Sequence, residues 1–373
     1  MSHNFDIYEH RKRLPELKRA FIVTDTHLGV RNSSIEWLDI IKNYFDNFFI
    51  PLITKDYKPG DFIMHCGDVF DSRHSLNLLV LNEAVSIFEK LAQIMPVVII
   101  LGNHDLYRKD SNEVNSSKSL KWIPNVFIFE EPEVIIAGGK RLLLMPWRKS
   151  VEDEIATIEG NNADYLFCHT EVKGLKMGKY TASEGGIQLD LLNKFKRVYS
   201  GHIHYSQLSR NFRMVGCPYQ LTRSDIGNDK GIWKLDFETD VEEFTSNDYS
   251  PKFVRILFEK VLEMEIEDIN KMFMNNFVDI LVHPKWSMLF PFSAFSEDLE
   301  NTYRRLEFIP RTSDVDDQGY VISEECEVEN FDLLTLAEKA INASSHDEKL
   351  KNLLLTTIKK LHYSVLNENI LDD

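Results

Sequence analysis

Seven short apolar runs punctuate the first two-thirds of the chain, and most of them end on a small or polar residue. They are Ala20–Thr24, Asp61–Cys66, Val97–Leu101, Val126–Phe129, Arg141–Met145, Asp164–Cys168 and Arg197–Ser200. Runs of four to six residues rich in Val, Ile, Leu and Phe read as strands buried on both faces. Longer amphipathic stretches lie between some of them. Ser34–Phe49 sets Ile35, Leu38, Ile41, Phe45 and Phe48 on one helical face, and Leu76–Leu91 does the same with Leu78, Leu81, Val85 and Phe88. Alternating strands and helices predict an α/β layered domain.

The rest of the chain changes texture. FETDVEEFTSNDYSP, around Phe237–Pro251, is acidic and turn-rich and reads as a boundary. Residues 241–310 then read as a small α+β domain, with PKFVRILFEK holding a strand and Ile266–Asn275 a helix. Within it the apolar stretch Lys285–Phe295 reads as core. Residues 311–330 are polar and acidic, a linker, and Phe331–Ile341 and Asp347–Leu366 in the segment 331–373 read as two helices. The first domain is therefore expected to span 1–240.

Charge follows the same division. The formal net charge is −16, yet residues 1–240 carry 30 basic and 32 acidic side chains, so −14 of it falls beyond residue 240. A polyanion-binding cleft in the first domain is compatible with that distribution. Cys66, Cys168, Cys217 and Cys326 show no CxxC spacing, which predicts reduced thiols and a cytoplasmic protein. No secretory signal, no membrane span and no Walker A ATP site is expected.

Five segments carry the chemistry: Asp25-Thr26-His27, Gly67-Asp68-Val69-Phe70-Asp71, Gly102-Asn103-His104-Asp105, Cys168-His169 and Gly201-His202-Ile203-His204. Four begin right after an expected strand, where loops line the ligand crevice of an open α/β sheet. Asp25, His27, Asp68, Asn103, His169, His202 and His204 are thus candidates to converge. Carboxylate, amide and imidazole donors together suit Mn²⁺, Fe²⁺ or Zn²⁺ better than Ca²⁺. Asp25 and His27, two residues apart, would point the same way on an extended segment, as would His202 and His204. Asp68 has two oxygens with which to bridge a pair of ions that together grip a phosphate.

In this order, TDTHLG, GDVFDS, GNHD, CHTEVKG and GHIH resemble the five motifs of the calcineurin-like metallophosphoesterases, and within them the SbcD-like double-strand-break repair nucleases and phage recombination nuclease subunits. The resemblance covers roughly residues 18–235. It implies a two-sheet β-sandwich flanked by helices, a capping domain and a C-terminal helical pair. It implies two divalent ions, Mn²⁺ first and Mg²⁺ second. Asp25, His27, Asp68 and His204 would hold one, and Asp68, Asn103, His169 and His202 the other. His104 would stabilise charge at the scissile phosphate or protonate the leaving oxygen, and the Asp71 carboxylate would orient His104. It also implies partners: DNA as duplex ends or single strands, a second copy of the chain, and an SbcC-like ABC ATPase bound through the C-terminal helices.

Ser72 and Leu101 stand where protein phosphatases of this superfamily carry arginine, which disfavours that relative. A phosphatase or cyclic-nucleotide phosphodiesterase on the same fold is the alternative, and a non-catalytic subunit a third reading that the complete ligand set opposes. Cations near the motifs are candidate DNA contacts: Arg31, Arg73, Arg108, Lys109, Lys173, Lys176 and Lys179, with His74 beside them.

Overall fold

A computed structural model describes residues 14–178, 182–283 and 303–310, together with Leu299 and Leu355. Lys179, the Lys285–Phe295 stretch, the acidic linker and, Leu355 apart, both C-terminal helical segments lie outside the described residues.

Two six-stranded sheets face each other. The first runs, edge to edge, Glu242–Ser246, Gly231–Asp236, Arg19–Val23, Asp61–His65, Val97–Ile100 and Val126–Phe129. Its last four strands are parallel, while Gly231–Asp236 is antiparallel to both of its neighbours. The second runs Gln207–Ser209, Phe212–Met214, Arg197–Gly201, Tyr165–His169, Lys140–Met145 and Glu133–Ala137. Strand alternation explains the layers. Ala20, Ile22, Phe62, Met64, Val98 and Ile100 point inward against Leu142, Leu144, Tyr165, Phe167 and Tyr199 of the second sheet. Their neighbours Phe21, Val23, Ile63, Val97 and Ile99 point outward, into a core shared with the helices Ile35–Tyr44 and Leu78–Ile94. On the far side, Leu143, Met145, Leu166 and Val198 pack with Ile158 of the helix Val151–Gly160. The expected α/β sandwich is what forms.

The helix expected to end at Phe49 widens into a π-helical segment, Phe45–Phe49, and continues as Ile50–Asp56, with Pro51 directly after the widened turn. The stretch read as a boundary supplies Glu242–Ser246, an edge strand on which Glu243 is exposed while Glu242 accepts from Arg213 and Tyr199. The first sheet therefore continues past residue 240.

A third sheet, Phe253–Leu257, Phe277–Val282 and Arg305–Pro310, is fully parallel and carries the helix Ile266–Phe273. Trp37 stacks on Phe277 at 5.5 Å and 2°. Asp279, buried, accepts a forked pair of hydrogen bonds from Arg223 at 2.5 and 2.8 Å and one from Arg255 at 3.2 Å. Arg223 also reaches Glu307 at 2.7 Å. Among the described residues no helix is long and apolar enough to cross a membrane.

Candidate active site

The parallel strands Arg19–Val23, Asp61–His65, Val97–Ile100, Tyr165–His169 and Arg197–Gly201 deliver their motifs at the same end of the two sheets. The loops are stitched by main-chain bonds from Asp25 N to Gly67 O (2.9 Å), His27 N to Asp68 O (3.2 Å) and Leu28 N to Val69 O (2.9 Å). Asp25, His27, Asp68 and His202 all hold positive φ, at 51°, 44°, 56° and 96°. Left-handed backbone costs a non-glycine residue about 1–2 kcal/mol, and such strain collects at functional sites. Asp25 and His27 therefore converge through a kinked loop and not through the alternation of an extended segment, as the sequence had predicted.

Close approach of the loops depends on glycine. A Cβ on Gly102 would lie 2.2 Å from Asp68 Oδ1, and one on Gly201 would lie 2.2 Å from Thr24 Oγ1.

The seven candidate ligands form two groups joined at Asp68. In one, His27 Nε2 lies 2.9 Å from His204 Nε2, 3.8 Å from Asp25 Oδ1 and 3.9 Å from Asp68 Oδ2. In the other, Asn103 Oδ1 lies 3.0 Å from His169 Nε2 and 2.8 Å from His202 Nδ1, and His169 Nε2 lies 3.3 Å from Asp68 Oδ2. His169 donates through Nδ1 to the Cys66 carbonyl at 2.7 Å, which fixes its tautomer and turns Nε2 inward, as in many metal-bound histidines. Separations of about 3–4 Å are those between donors on one ion with ligand bonds near 2.0–2.2 Å.

Charge balance supports the same reading. Asp25 and Asp68 are buried. Burial opposes their ionisation, but the neighbouring imidazoles outweigh it and hold both carboxyls below their ordinary range. Burial would likewise lower His27 and His169. The facing carboxylates instead raise them to about 10 and about 9. Burial and the positive neighbours keep His202 and His204 near 4. Two buried anions thus borrow two protons, the charge that divalent cations would supply. The donor set fits such ions.

His104 stands beside this cluster, its ring 5.0 Å from that of His27 and edge-on to it. Its main-chain N–H donates to Asp68 Oδ1 at 2.7 Å. Its Nδ1 is held by the main-chain carbonyl of Asp71 at 2.7 Å. The Asp71 carboxylate does not meet His104 in the way the sequence had implied. It lies 3.3 Å from Nδ1 of His27, an ion-pair contact. Asp71 follows the parallel bridge between Leu28 and Phe70, and its N–H donates to the Leu28 carbonyl at 3.1 Å.

Several supporting residues were not singled out from the sequence. Asp105, quoted only as part of its motif, accepts from the main-chain N–H groups of Asp68 (2.9 Å), Val69 (3.1 Å) and Gly102 (2.9 Å), tying two ligand loops together. Buried His65 accepts from Gly67 N–H at 3.3 Å and so donates through Nε2 to Thr26 Oγ1 at 3.0 Å. The Tyr219 hydroxyl donates to the Thr26 carbonyl. Trp147 lies 5.0 Å from the His202 ring. It follows the strand Lys140–Met145, the one signal that marked it.

The candidate DNA contacts divide. Arg31 stacks over Trp37 at 4.8 Å and donates to the Leu221 carbonyl at 2.9 Å. Arg108 is forked onto Asp110 at 3.0 and 2.8 Å. Arg73 is half-buried with no carboxylate partner among the described residues. Lys109, Lys173 and Lys176 are exposed.

Residues 18–206 match the calcineurin-like phosphoesterase family model. The chain is 30% identical over 328 residues to exonuclease subunit 1 of enterobacteria phage T4, covering 86% of this chain and 91% of that protein. It is 28% identical over 197 residues to the phosphoesterase-like protein 078R of Invertebrate iridescent virus 3, covering 50% of this chain and 53% of that one. Among solved structures, an archaeal phosphodiesterase superposes with a TM-score of 0.34 at 14% identity, over 61% of this chain and 99% of that one. The chain belongs to the calcineurin-like phosphoesterase family, whose members use divalent metals.

Proposed function

We propose that this chain is a two-metal DNA phosphodiesterase, an exo- and endonuclease subunit that processes DNA ends in recombination and repair. The observation that carries the reading is the pair of ligand groups sharing Asp68, with His104 beside them. Asp25, His27, Asp68 and His204 would hold one divalent ion, and Asp68, Asn103, His169 and His202 the other, Mn²⁺ being preferred. When bound, such ions supply Lewis-acid stabilisation of charge building on the phosphate oxygens.

The chain's own residues do the remainder. The Asp71 carbonyl keeps the proton of His104 on Nδ1 or draws it there, which leaves Nε2 to face the scissile phosphate and, once protonated, to neutralise the leaving oxygen. Asp105 fixes the spacing of the Asp68 and Asn103 loops, and spacing errors of about 1 Å can cost on the order of a hundredfold in rate. Arg73, Lys109, Lys173 and Lys176 are positioned on motif loops to meet neighbouring phosphates.

Similarity to a phage exonuclease subunit over most of both chains supports DNA as the substrate. By the same reading residues 241–310 cap the site and position DNA, and the C-terminal helices bind an SbcC-like ABC ATPase. A homodimer is part of the proposal. Ile35, Leu78 and Leu79, at the starts of two neighbouring helices, are 67%, 75% and 51% exposed, an apolar group that a second copy would cover.

A substrate panel tests the reading. Purified protein with Mn²⁺ is offered labelled DNA, a small phosphodiester and a small phosphomonoester. Degradation of DNA supports a nuclease. Turnover of the monoester with intact DNA overturns it in favour of a phosphatase.

A further inference from the structure

One buried nucleophile beside the cation cluster has no part in the chemistry above. Cys217 is fully buried, and its sulfur and one ring nitrogen each of His27 and His204 all lie within 4.8 Å of one another. The neighbouring glycine explains how it gets there. Gly216 has φ +74°, and a Cβ on it would lie 2.6 Å from the His204 carbonyl and 2.9 Å from Ser206 N. Its loop is thereby pressed against the His204 loop, and Cys217 is set beside the ligand. The other described cysteines do not share this position. Cys66 packs between the sheets, and Cys168 points its thiol at the Tyr199 carbonyl, 3.7 Å away.

The two imidazoles facing Cys217 meet Nε2 to Nε2 at 2.9 Å. That separation is spanned by an N–H···N hydrogen bond, and a cation would replace its proton. Oxygen and nitrogen donors alone favour hard to borderline ions such as Mn²⁺, whereas a sulfur donor added to two imidazoles favours thiophilic ones. We propose that Cys217 joins His27 and His204 in binding a thiophilic divalent cation of the Zn²⁺ or Cd²⁺ type, so that this half of the site is captured by soft ions at the expense of Mn²⁺. On binding, the S–H bond breaks, the proton leaves to water and a sulfur–metal bond forms. The proposal rests on reading the His27–His204 group as a cation site.

The test is Cd²⁺ titration of the full chain, followed by the ultraviolet sulfur-to-cadmium charge-transfer absorption, with Mn²⁺ binding measured in parallel. The wild type is expected to show the band, and Cys326→Ser to keep it. Cys217→Ser is expected to lose the band and to weaken Cd²⁺ binding by on the order of tenfold or more, while Mn²⁺ binding is unchanged. Cys217→Ala serves the same purpose should the serine variant fold poorly. A band that survives in Cys217→Ser, or Cd²⁺ binding by the wild type without a band, overturns the proposal while leaving the cation site standing. A wild type that binds neither ion overturns both.

Discussion

Nδ1 of His104 lies 2.7 Å from the main-chain carbonyl oxygen of Asp71. The bond is made by the backbone, so it survives any replacement of the Asp71 side chain. The carboxylate of Asp71 sits instead 3.3 Å from Nδ1 of His27. One residue therefore serves two histidines through two different groups, and substitutions can separate them.

Asp71→Asn is expected to act through His27 alone. Loss of the carboxylate should weaken Mn²⁺ binding by about 10- to 100-fold, as for other groups behind a metal ligand, with the rate at saturating Mn²⁺ close to wild type. His104→Ala should do the reverse, lowering the rate by about 10²- to 10⁴-fold and sparing Mn²⁺ affinity. Metal titrations of activity for the two variants decide this. A rate loss in Asp71→Asn that Mn²⁺ cannot restore would return the orienting role to the carboxylate.

Gly102→Ala is expected to inactivate the protein. The added methyl would meet Asp68 Oδ1 at 2.2 Å and Asp68 N at 2.4 Å, forcing apart the loops that Asp105 joins. Overpacking of this kind costs about 1–3 kcal/mol, visible as a lowered melting temperature alongside lost Mn²⁺ binding. Gly139→Ala, which has positive φ but meets nothing within 4 Å, is the control. It should cost stability without touching the metal.

How much of this was legible in the sequence follows from the physics of each element. Strands buried on both faces announce themselves as apolar runs, and all seven expected runs are strands. Of those that were missed, Glu242–Ser246 and Gln207–Ser209 are edge strands, half solvated and short, with a composition close to that of loops, whereas Gly231–Asp236 lies inside its sheet. The ligand residues were legible by type and by their place after strands. Their mutual placement was not, because it depends on positive φ at Asp25, His27, Asp68 and His202, which Asp and His adopt more often than most residues but do not specify. Asp105, His65 and Cys217 act through contacts with residues far away in the chain, so no local pattern marks them.

Glu154 makes a pH dependence testable. It is buried and accepts from Thr170 Oγ1 at 2.7 Å. Burial raises its carboxyl from 4.5 to about 7, with Glu171 adding to the effect and Thr170, His169 and Arg148 opposing it. The folded state therefore holds this proton more tightly than the unfolded chain. The contribution is complete below about 4.5 and is lost as pH rises through about 7, amounting to about 3 kcal/mol in the metal-free protein. Denaturant titrations across that window should show a shallower loss of stability for Glu154→Gln than for wild type. Parallel curves would contradict the assignment.

Asp279→Ala should loosen the attachment of the third sheet. Asp279 is buried under Arg223 and Arg255, and removing it takes a forked acceptor from Arg223, which keeps Glu307, and one acceptor from Arg255, a cost of about 1–3 kcal/mol. If residues 241–310 position DNA, the variant should raise KM for DNA and leave KM for a small phosphodiester unchanged. An equal rise for both substrates would assign the clamp to stability only.

The most direct test of the central claim is Mn²⁺-dependent degradation of end-labelled linear duplex and single-stranded DNA by wild type, His104→Ser and Asp68→Ala. The expected result is cleavage by wild type, none by Asp68→Ala because the shared ligand is gone, and at most a trace by His104→Ser with Mn²⁺ binding retained. Undiminished cleavage by Asp68→Ala would contradict a site built on two ions sharing Asp68.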